Sequence, residues 1–214
     1  MPSIMPKDHA SPARLEAFSD GVIAVIITIM VLDLKVPHDL GLAGFVAVLP
    51  TLAVYLLSFA FTGVYWVNHH HLLHRTDQAN ERILYANLAF LFCLSLLPFF
   101  TAYVLDHKMD SFSVGIYVIS MMLTGASFLI LRLAIGHHLP SSGKLEREDM
   151  IAERKHWISI LLYLVSIGLS FRHPLFALGL VALISIIWII PTAHIVPPAV
   201  CAPEDNPGKH PSAS

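Results

Sequence analysis

Charged residues are scarce in this sequence. Asp, Glu, Lys and Arg make up only 13% of the 214 residues, hydrophobic residues make up 56%, and the mean hydropathy is +0.68. Soluble domains carry about 25% charged residues, so the composition predicts an integral membrane protein embedded in a lipid bilayer. The formal net charge of −2 provides no basic surface, and nucleic acid is therefore not expected as a partner.

Cysteine is also rare. Cys93 and Cys201, the only two, lie far apart, which predicts neither a disulfide framework nor a thiolate metal site. The sequence contains no Gly-rich phosphate loop and no Gly-x-Ser-x-Gly nucleophile motif. We therefore expect no catalytic residue, no cofactor and no enzymatic activity.

A histidine-rich stretch lies around position 70 in a sequence that has thirteen histidines. His70 and His74 are four residues apart, a spacing that places them on one helical face. No glutamate stands with them in a His-Glu-x-x-His arrangement, and no thiolate is near. The sequence alone therefore predicts no metal site.

Six apolar segments predict an all-α protein with six membrane spans. The first is expected to be retained, because residues 1–13 lack the basic-then-apolar order of a signal peptide. Residues 1–11 are then an N-terminal segment, 12–195 the transmembrane domain and 196–214 a disordered tail rich in Pro, Ala and Ser. The expected spans are Pro12–Val36, Leu40–His70, Ile83–Leu105, Phe112–Ile135, a short His156–Phe171, and Pro174–Ile190.

Basic residues predict the orientation. An even number of spans puts both termini on one side, and cytoplasmic loops carry the excess of Lys and Arg. The terminal side has Lys7, Arg14, Arg75, Arg82, Lys144, Arg147, Arg154, Lys155 and Lys209, against Lys35, Lys108 and Arg172 on the other. Both termini are therefore expected in the cytoplasm, and the charged run from Lys144 to Lys155 is expected to extend the fifth helix.

The first span is unusual because it carries charge. Arg14, Glu16, Asp20 and Asp33 accompany a twelve-residue run in which Thr28 is the only hydroxyl. A span needs ~20 residues, so some of these charges must lie within it. Ionisable groups at such depth cost ~2.5–3.5 kcal/mol each at the centre and usually face protein or water. The first helix is therefore expected inside the assembly.

A polar network is expected at the cytoplasmic end of this span. Asp20 lies about two turns beyond Arg14 and needs hydrogen-bond donors, which the end of the second span provides at similar depth. Phe18 is expected to pack there as a wedge. The predicted network comprises Arg14, Phe18, Ser19, Asp20, Trp66, Asn68, His69 and His70, with Asp20 and Ser19 bonded to His70, Asn68 and the Trp66 indole.

The motif Arg14-x-x-x-Phe18-Ser19-Asp20, followed by an aliphatic helix with a threonine eight residues after the aspartate, resembles the signature of the transmembrane protein 175 family of potassium channels. The end of the second span, from Trp66 to His70, and the third span, from Asn87 to Pro98, add to the likeness. The resemblance is to the bacterial branch. It implies a homotetramer in the bacterial inner membrane, with K⁺ and other monovalent cations as permeating ions.

The resemblance also implies roles for particular residues. Val25, Thr28 and Leu32 share one face of the first helix, and in the family the matching positions line the ion path; Ile29 is a less certain fourth. The polar network corresponds to a structural clamp on the pore helix, with a direct part in permeation as the other interpretation. This chain lacks a Thr-Val-Gly-Tyr-Gly filter, so aliphatic rings and a threonine layer would form the constriction, with modest selectivity for potassium over sodium.

Some alternatives remain open at this point. Asp33 would concentrate cations at an outer pore mouth or simply end a helix at the membrane interface. A proton-coupled secondary transporter would use Asp20 and the histidines as a relay, although no inverted repeat is visible. An intramembrane enzyme would have only Ser19 and His70 as a candidate pair.

Overall fold

A computed structural model describes residues 11–37, 41–76, 79–136 and 143–189, with side chains in the last range from Met150 onward. Within these ranges the chain is helical apart from short connections, which confirms the predicted all-α class. The expected N-terminal segment, except residue 11, and the expected tail lie outside the described residues. The helices are α1 (Pro12–Met30), α2 (Gly41–Leu73), α3 (Glu81–Ser95), α4 (Leu97–Asp106), α5 (Ser111–Gly136), α6 (Gly143–Ser170) and α7 (Pro174–Ile189).

The predicted third span is built from two helices. α3 ends at Ser95, and Pro98 lies in the first turn of α4, so its missing N–H cannot continue the hydrogen-bond ladder of α3. Leu96 joins the two helices, and its backbone N–H donates to Cys93 O at 3.4 Å. The predicted third span, Ile83–Leu105, falls within the apolar stretch Glu81–Asp106 that α3 and α4 form together, whereas the change of helix at Leu96 was not predicted.

Two other helices are longer than predicted. α2 runs for 33 residues and carries Pro50 within it. α6 begins at Gly143 and runs for 28 residues, so the charged stretch after Lys144 does extend the fifth predicted span. Ion pairs are expected along that stretch. They involve side chains at positions up to 149, which lie outside the side chains that the structure describes.

Four stretches of the described chain are long and apolar enough to cross a membrane. They are α1 with its short 3₁₀ extension to Asp33, α2, the α3–α4 pair and α5; α7 is a shorter apolar helix. Together with the apolar composition, these helices identify a membrane protein. α6 packs against both α5 and α7, which places it in the same bundle.

α5 forms the centre of the bundle. It packs against α3, α4, α6 and α7, and large side chains along it, among them Tyr117, Met121 and Phe128, are fully buried. The Phe128 ring meets those of Tyr65 and Phe90 edge-on or tilted, with centroids 5.1–5.2 Å apart. Such aromatic contacts add to the packing energy and fix α2, α3 and α5 against one another.

Buried hydroxyl groups join the bundle between α2, α4 and α5. Ser58 Oγ lies 2.8 Å from Thr101 Oγ1 and 2.7 Å from Tyr117 Oη. Thr101 also donates to its own helix at Leu97 O. A buried hydroxyl without a partner costs ~1–3 kcal/mol, and these three partner one another.

Gly125 in α5 lies against the side chain of Tyr65 in α2. A Cβ at this position would lie 3.0 Å from Tyr65 Oη, a buried side chain, whereas a Cβ at Gly168 in α6 would meet no atom within 4 Å. We expect Gly125→Val to destabilise the protein by ~1–3 kcal/mol through overpacking. Thermal unfolding of the detergent-solubilised protein measures this.

Gly168→Val is the matched control for Gly125→Val. It introduces the same β-branched side chain into a helix with open space around it. Equal unfolding temperatures for the two variants would contradict the close approach of α2 and α5.

α1 lies at the edge of the bundle, against α2, α3 and α4. It begins where Ser11 caps the helix, with Oγ accepting from the Arg14 backbone N–H at 3.3 Å, and Pro12 occupies the first turn. Its buried positions form one stripe along the helix: Leu15, Ser19, Ile23, Ile26 and Met30. The opposite face of α1 is covered by no part of the chain that the structure describes.

Candidate functional site

The uncovered face of α1 carries the residues predicted to line a pore. Leu32 is 79% exposed, Val25 54% and Ile29 44%, and Thr28 is exposed as well. Thr28 and Leu32 lie opposite the buried stripe. Val25 and Ile29 lie on one flank, where they also line a groove. The structure thus brings all four positions to the same open side of α1.

The groove runs between α1 and the break in the third span. Its volume is about 720 Å³, and Phe18, Val25 and Ile29 line it on the α1 side, opposite Pro98 and Phe99. Phe18 is 53% exposed and points into this groove. Phe18 was expected to pack as a wedge inside the polar network. The structure instead places it on the exposed side of α1 that borders the groove.

The hydroxyl of Thr28 has a defined orientation. Its Oγ1 lies 3.0 Å from both Ala24 O and Val25 O, so its single proton is donated back to the helix. The oxygen lone pairs are then available on the exposed face, because a threonine hydroxyl accepts as well as donates. This face therefore presents one oxygen ligand, Thr28 Oγ1, flanked by aliphatic side chains.

Two charged residues follow the C-terminal end of α1. Asp33 closes the 3₁₀ turn and is exposed, as predicted for a helix end or a pore mouth. Lys35 Nζ lies 2.6 Å from Asp106 Oδ1 at the end of α4. The hydrogen bond that Lys35 donates to Asp106 raises the pKa of Lys35 above its usual value. This exposed pair contributes little stability, but it keeps the Lys35 charge beside Asp106.

A buried hydrogen-bond chain holds the N-terminal half of α1 to α2 and α3. Ser19 Oγ donates to Leu15 O at 2.8 Å and accepts from Asn87 Nδ2 at 2.9 Å, while Asn87 Oδ1 lies 2.7 Å from His69 Nε2. Because the amide nitrogen faces Ser19, the amide oxygen faces His69, and His69 must donate from Nε2. Ser19, Asn87 and His69 are all fully buried.

Asn87 is not a member of the network predicted from the sequence, although it begins the third-span stretch that carries the family resemblance. An asparagine at membrane depth in an otherwise apolar helix is itself a signal, because such a group needs hydrogen-bond partners.

The predicted partners of Asp20 are only partly present. The Trp66 indole donates from Nε1 to Asp20 Oδ1 at 2.9 Å, as expected. Asn68 instead donates to Val64 O in its own helix at 2.7 Å, and His70 Nδ1 lies 2.7 Å from Glu16 Oε1. The expectation that Asn68 and His70 bind Asp20 and Ser19 was therefore wrong.

Arg14 lies in the first turn of α1. Its backbone N–H takes part in the helix cap, and its side chain is exposed. The predicted single network is in fact three separate groups. These are the buried chain Ser19–Asn87–His69, the Asp20–Trp66 pair, and a Glu16–His70–His74 cluster at the helix end.

The fold and this exposed face together define a class of protein. Its members are helical membrane proteins in which one face of the first span is left uncovered within the single chain. A family model described as "Endosomal/lysosomal potassium channel TMEM175" matches residues 14–98. The chain is 41% identical over 182 residues to a potassium channel of Chryseobacterium sp. (strain P1-3), covering 85% of this chain and 94% of that relative. It is 33% identical over 187 residues to a potassium channel of Streptomyces collinus, covering 79% and 89% of the two chains.

A solved structure agrees with the sequence relatives. The structure of "a lysosomal potassium-selective channel TMEM175 homolog" from Chamaesiphon minutus matches with a TM-score of 0.72 and 26% identity, over 85% of this chain and 97% of that one. The chain belongs to the TMEM175 family. This confirms the resemblance drawn from the Arg14–Asp20 motif, and membership of a channel family sets aside the intramembrane-enzyme alternative.

Proposed function

We propose that this protein is a potassium-permeable cation channel in which four copies of α1 surround a central pore. Val25, Thr28 and Leu32 form successive rings along the pore, with Ile29 beside them. The channel passes K⁺ in modest preference to Na⁺. The relatives named as potassium channels support this function, and the open face of α1 carries the assignment of the pore.

The open face of α1 supports this proposal because it combines aliphatic with polar residues. A purely apolar face could simply contact lipid, so its exposure alone would not indicate a pore. Here the same face also presents the Thr28 oxygen, and it ends in the exposed Asp33. Polar groups within a span usually face a protein interior or water, and only a second copy of the chain or a pore provides either one here.

Several copies of the chain are needed for a pore. One α1 cannot enclose an axis, and closed cyclic symmetry is the usual way in which identical chains do so. The apolar groove beside Val25 and Ile29 gives a neighbouring copy a surface on which to pack. The number four follows from the family resemblance. We extend the same proposal to six spans, to both termini in the cytoplasm, and to the bacterial inner membrane.

Conduction would depend on dehydration at a narrow apolar neck. Rings of Val25 and Leu32 exclude water when the pore is tight, which is the basis of a hydrophobic gate. K⁺ sheds its water at lower cost than Na⁺, so a neck of this kind penalises Na⁺ more. Thr28 oxygens, with lone pairs directed away from the helix, replace part of the lost hydration.

The Ser19–Asn87–His69 chain would serve as the clamp that holds α1 against α2 and α3. Its three members are fully buried and bonded to one another. Ser19 lies on the buried face of α1, opposite to Thr28 and Leu32, and this separates the clamp from the ion path. Asp33 would concentrate cations at the outer mouth, while the charge of Lys35 is neutralised by Asp106.

Recordings from purified protein in planar bilayers test this function. With K⁺ on one side, Na⁺ on the other and no ATP, we expect discrete unitary currents whose reversal potential is shifted toward that of K⁺. A silent bilayer together with slow, proton-dependent cation uptake into liposomes would favour the proton-coupled transporter and make Asp20 and the histidines its relay.

Thr28→Val is expected to reduce the unitary K⁺ current and the preference for K⁺ over Na⁺. Valine has the shape of threonine without the oxygen, so the threonine ring of a tetramer loses its four cation ligands. If that loss adds ~1.4 kcal/mol to the barrier for K⁺, the current falls about tenfold. Single-channel recording measures both quantities.

Thr28→Ser is the matched control because it keeps the hydroxyl and loses only a methyl group. We expect it to retain most of the preference for K⁺. If Thr28→Val conducted and selected like the unmodified protein, the threonine ring would have no part in selectivity.

A further inference from the structure

The inner ends of α1 and α2 meet at a cluster of three side chains that the channel function does not use. Glu16 projects from the first turns of α1, His70 from the last turn of α2, and His74 follows directly after α2. His70 Nδ1 lies 2.7 Å from Glu16 Oε1, and His74 Nε2 lies 3.4 Å from the same oxygen. One atom from each residue thus converges on a single point, and these atoms all lie within 4.8 Å of one another.

Two imidazoles and one carboxylate are a ligand set typical of zinc. Zn²⁺ binds His nitrogen at ~2.0–2.1 Å and carboxylate oxygen at ~2.0–2.2 Å in a tetrahedral arrangement. Such bonds place neighbouring ligand atoms roughly 3.3–3.5 Å apart, which is the spacing already found between His74 and Glu16. To reach that spacing, His70 Nδ1 has to move roughly 0.6–0.8 Å away from Glu16 Oε1, and the fourth position is left for water.

The surroundings of the cluster suit a binding site open to one side. The Glu16 side chain is 18% exposed, whereas those of His70 and His74 are 41% and 59% exposed. The carboxylate is thus partly withdrawn from water, and the imidazoles border the solvent. The rings of His70 and His74 lie edge to face with centroids 4.3 Å apart, a contact that holds both on the same side of α2.

We infer that Glu16, His70 and His74 form a binding site for a zinc-class divalent ion, which joins α1 to the end of α2. The histidine helix itself carries no carboxylate in a zinc-binding arrangement, so the sequence alone predicts no metal site. The structure brings a carboxylate from α1, more than fifty positions away in the chain. The site does not depend on ion conduction, so failure of either proposal leaves the other intact.

Metal titration of the full-length protein tests the site. The protein is purified in detergent with any histidine tag removed, and ZnCl₂ binding is followed by calorimetry. CoCl₂ serves as a spectroscopic probe, since tetrahedral Co²⁺ bound to nitrogen and oxygen absorbs visible light strongly. We expect one saturable site per chain for both metals, and a higher unfolding temperature with Zn²⁺ because the ion binds the folded state.

Variants distinguish this site from the other histidines. Glu16→Gln keeps the size of the side chain but loses the charge, and His74→Ala removes an exposed ligand. Each is expected to weaken Zn²⁺ binding by at least ~10–100-fold, the loss that changes even outside the ligand shell produce. His71→Ala is the control, because His71 lies beside His70 on the exposed surface but outside the cluster.

Three results would overturn the inference. These are the absence of saturable Zn²⁺ binding by the unmodified protein, undiminished binding by Glu16→Gln, or an equal loss in His71→Ala. Because His74 is exposed, its variant is expected to fold even if Glu16→Gln does not, and undiminished binding by His74→Ala would count equally against the site.

Discussion

Replacing Leu32 with alanine is expected to raise the unitary K⁺ current and to shift the reversal potential, measured between K⁺ and Na⁺ solutions, toward zero. Leu32 is the most exposed of the predicted pore residues, at 79%. Four leucine side chains around an axis form a water-excluding ring, and alanine would widen it and let cations keep more of their water. If the barrier at the neck falls by ~1.4 kcal/mol, the current rises about tenfold.

The control for Leu32→Ala is the same substitution at an exposed leucine on another helix. Leu161 is 61% exposed and lies on α6, which packs against α5 and α7. We expect Leu161→Ala to leave the unitary current and the reversal potential unchanged. If both leucine variants conducted like the unmodified protein, Leu32 would not be part of the neck.

Asn87→Ala is expected to cause the largest loss of stability among the polar substitutions. Asn87 is fully buried on α3 and bonds Ser19 on α1 and His69 on α2, so it joins these three helices. Its removal leaves the Nε2–H of His69 buried and unpaired, and the Nδ1 atom of His69 already lacks a partner among the described residues. An unpaired buried group costs ~1–3 kcal/mol, and the cavity left by the side chain adds to that cost.

Thermal unfolding of the purified protein in detergent measures this loss, and size-exclusion chromatography shows whether assembly is affected. Asn68→Ala provides a matched control, because Asn68 bonds only Val64 O within its own helix. We expect Asn68→Ala to change stability by no more than ~0.5 kcal/mol. Equal unfolding temperatures for the two asparagine variants would mean that the buried chain does not clamp α1.

Hydropathy and charge predicted the helices well because both depend only on local sequence. The apolar runs and their charged borders placed the ends of α5 and α7 within one residue of those observed. The Arg14–Asp20 motif predicted the family and singled out the first helix. The break at Leu96 was also within reach of the sequence, since Pro98 lacks the N–H that a continuous helix requires.

Contacts between helices were predicted less well. Hydropathy gives the depth of a residue, but not the direction in which its helix faces a neighbour. Trp66 and Asp20 were paired correctly, whereas His70 turns to Glu16 and Asn68 bonds its own helix. The third helix supplies Asn87 to Ser19, and a pairing of only the first two spans could not include it.

The central claim is that α1 lines a shared axis, and an experimentally determined structure of the purified protein in lipid nanodiscs tests it most directly. The account predicts a fourfold particle with α1 nearest the axis, Thr28 and Leu32 directed into the pore, and the Ser19–Asn87–His69 chain on the far side of the helix. A monomer, or an assembly in which the open face of α1 lies against lipid, would contradict it.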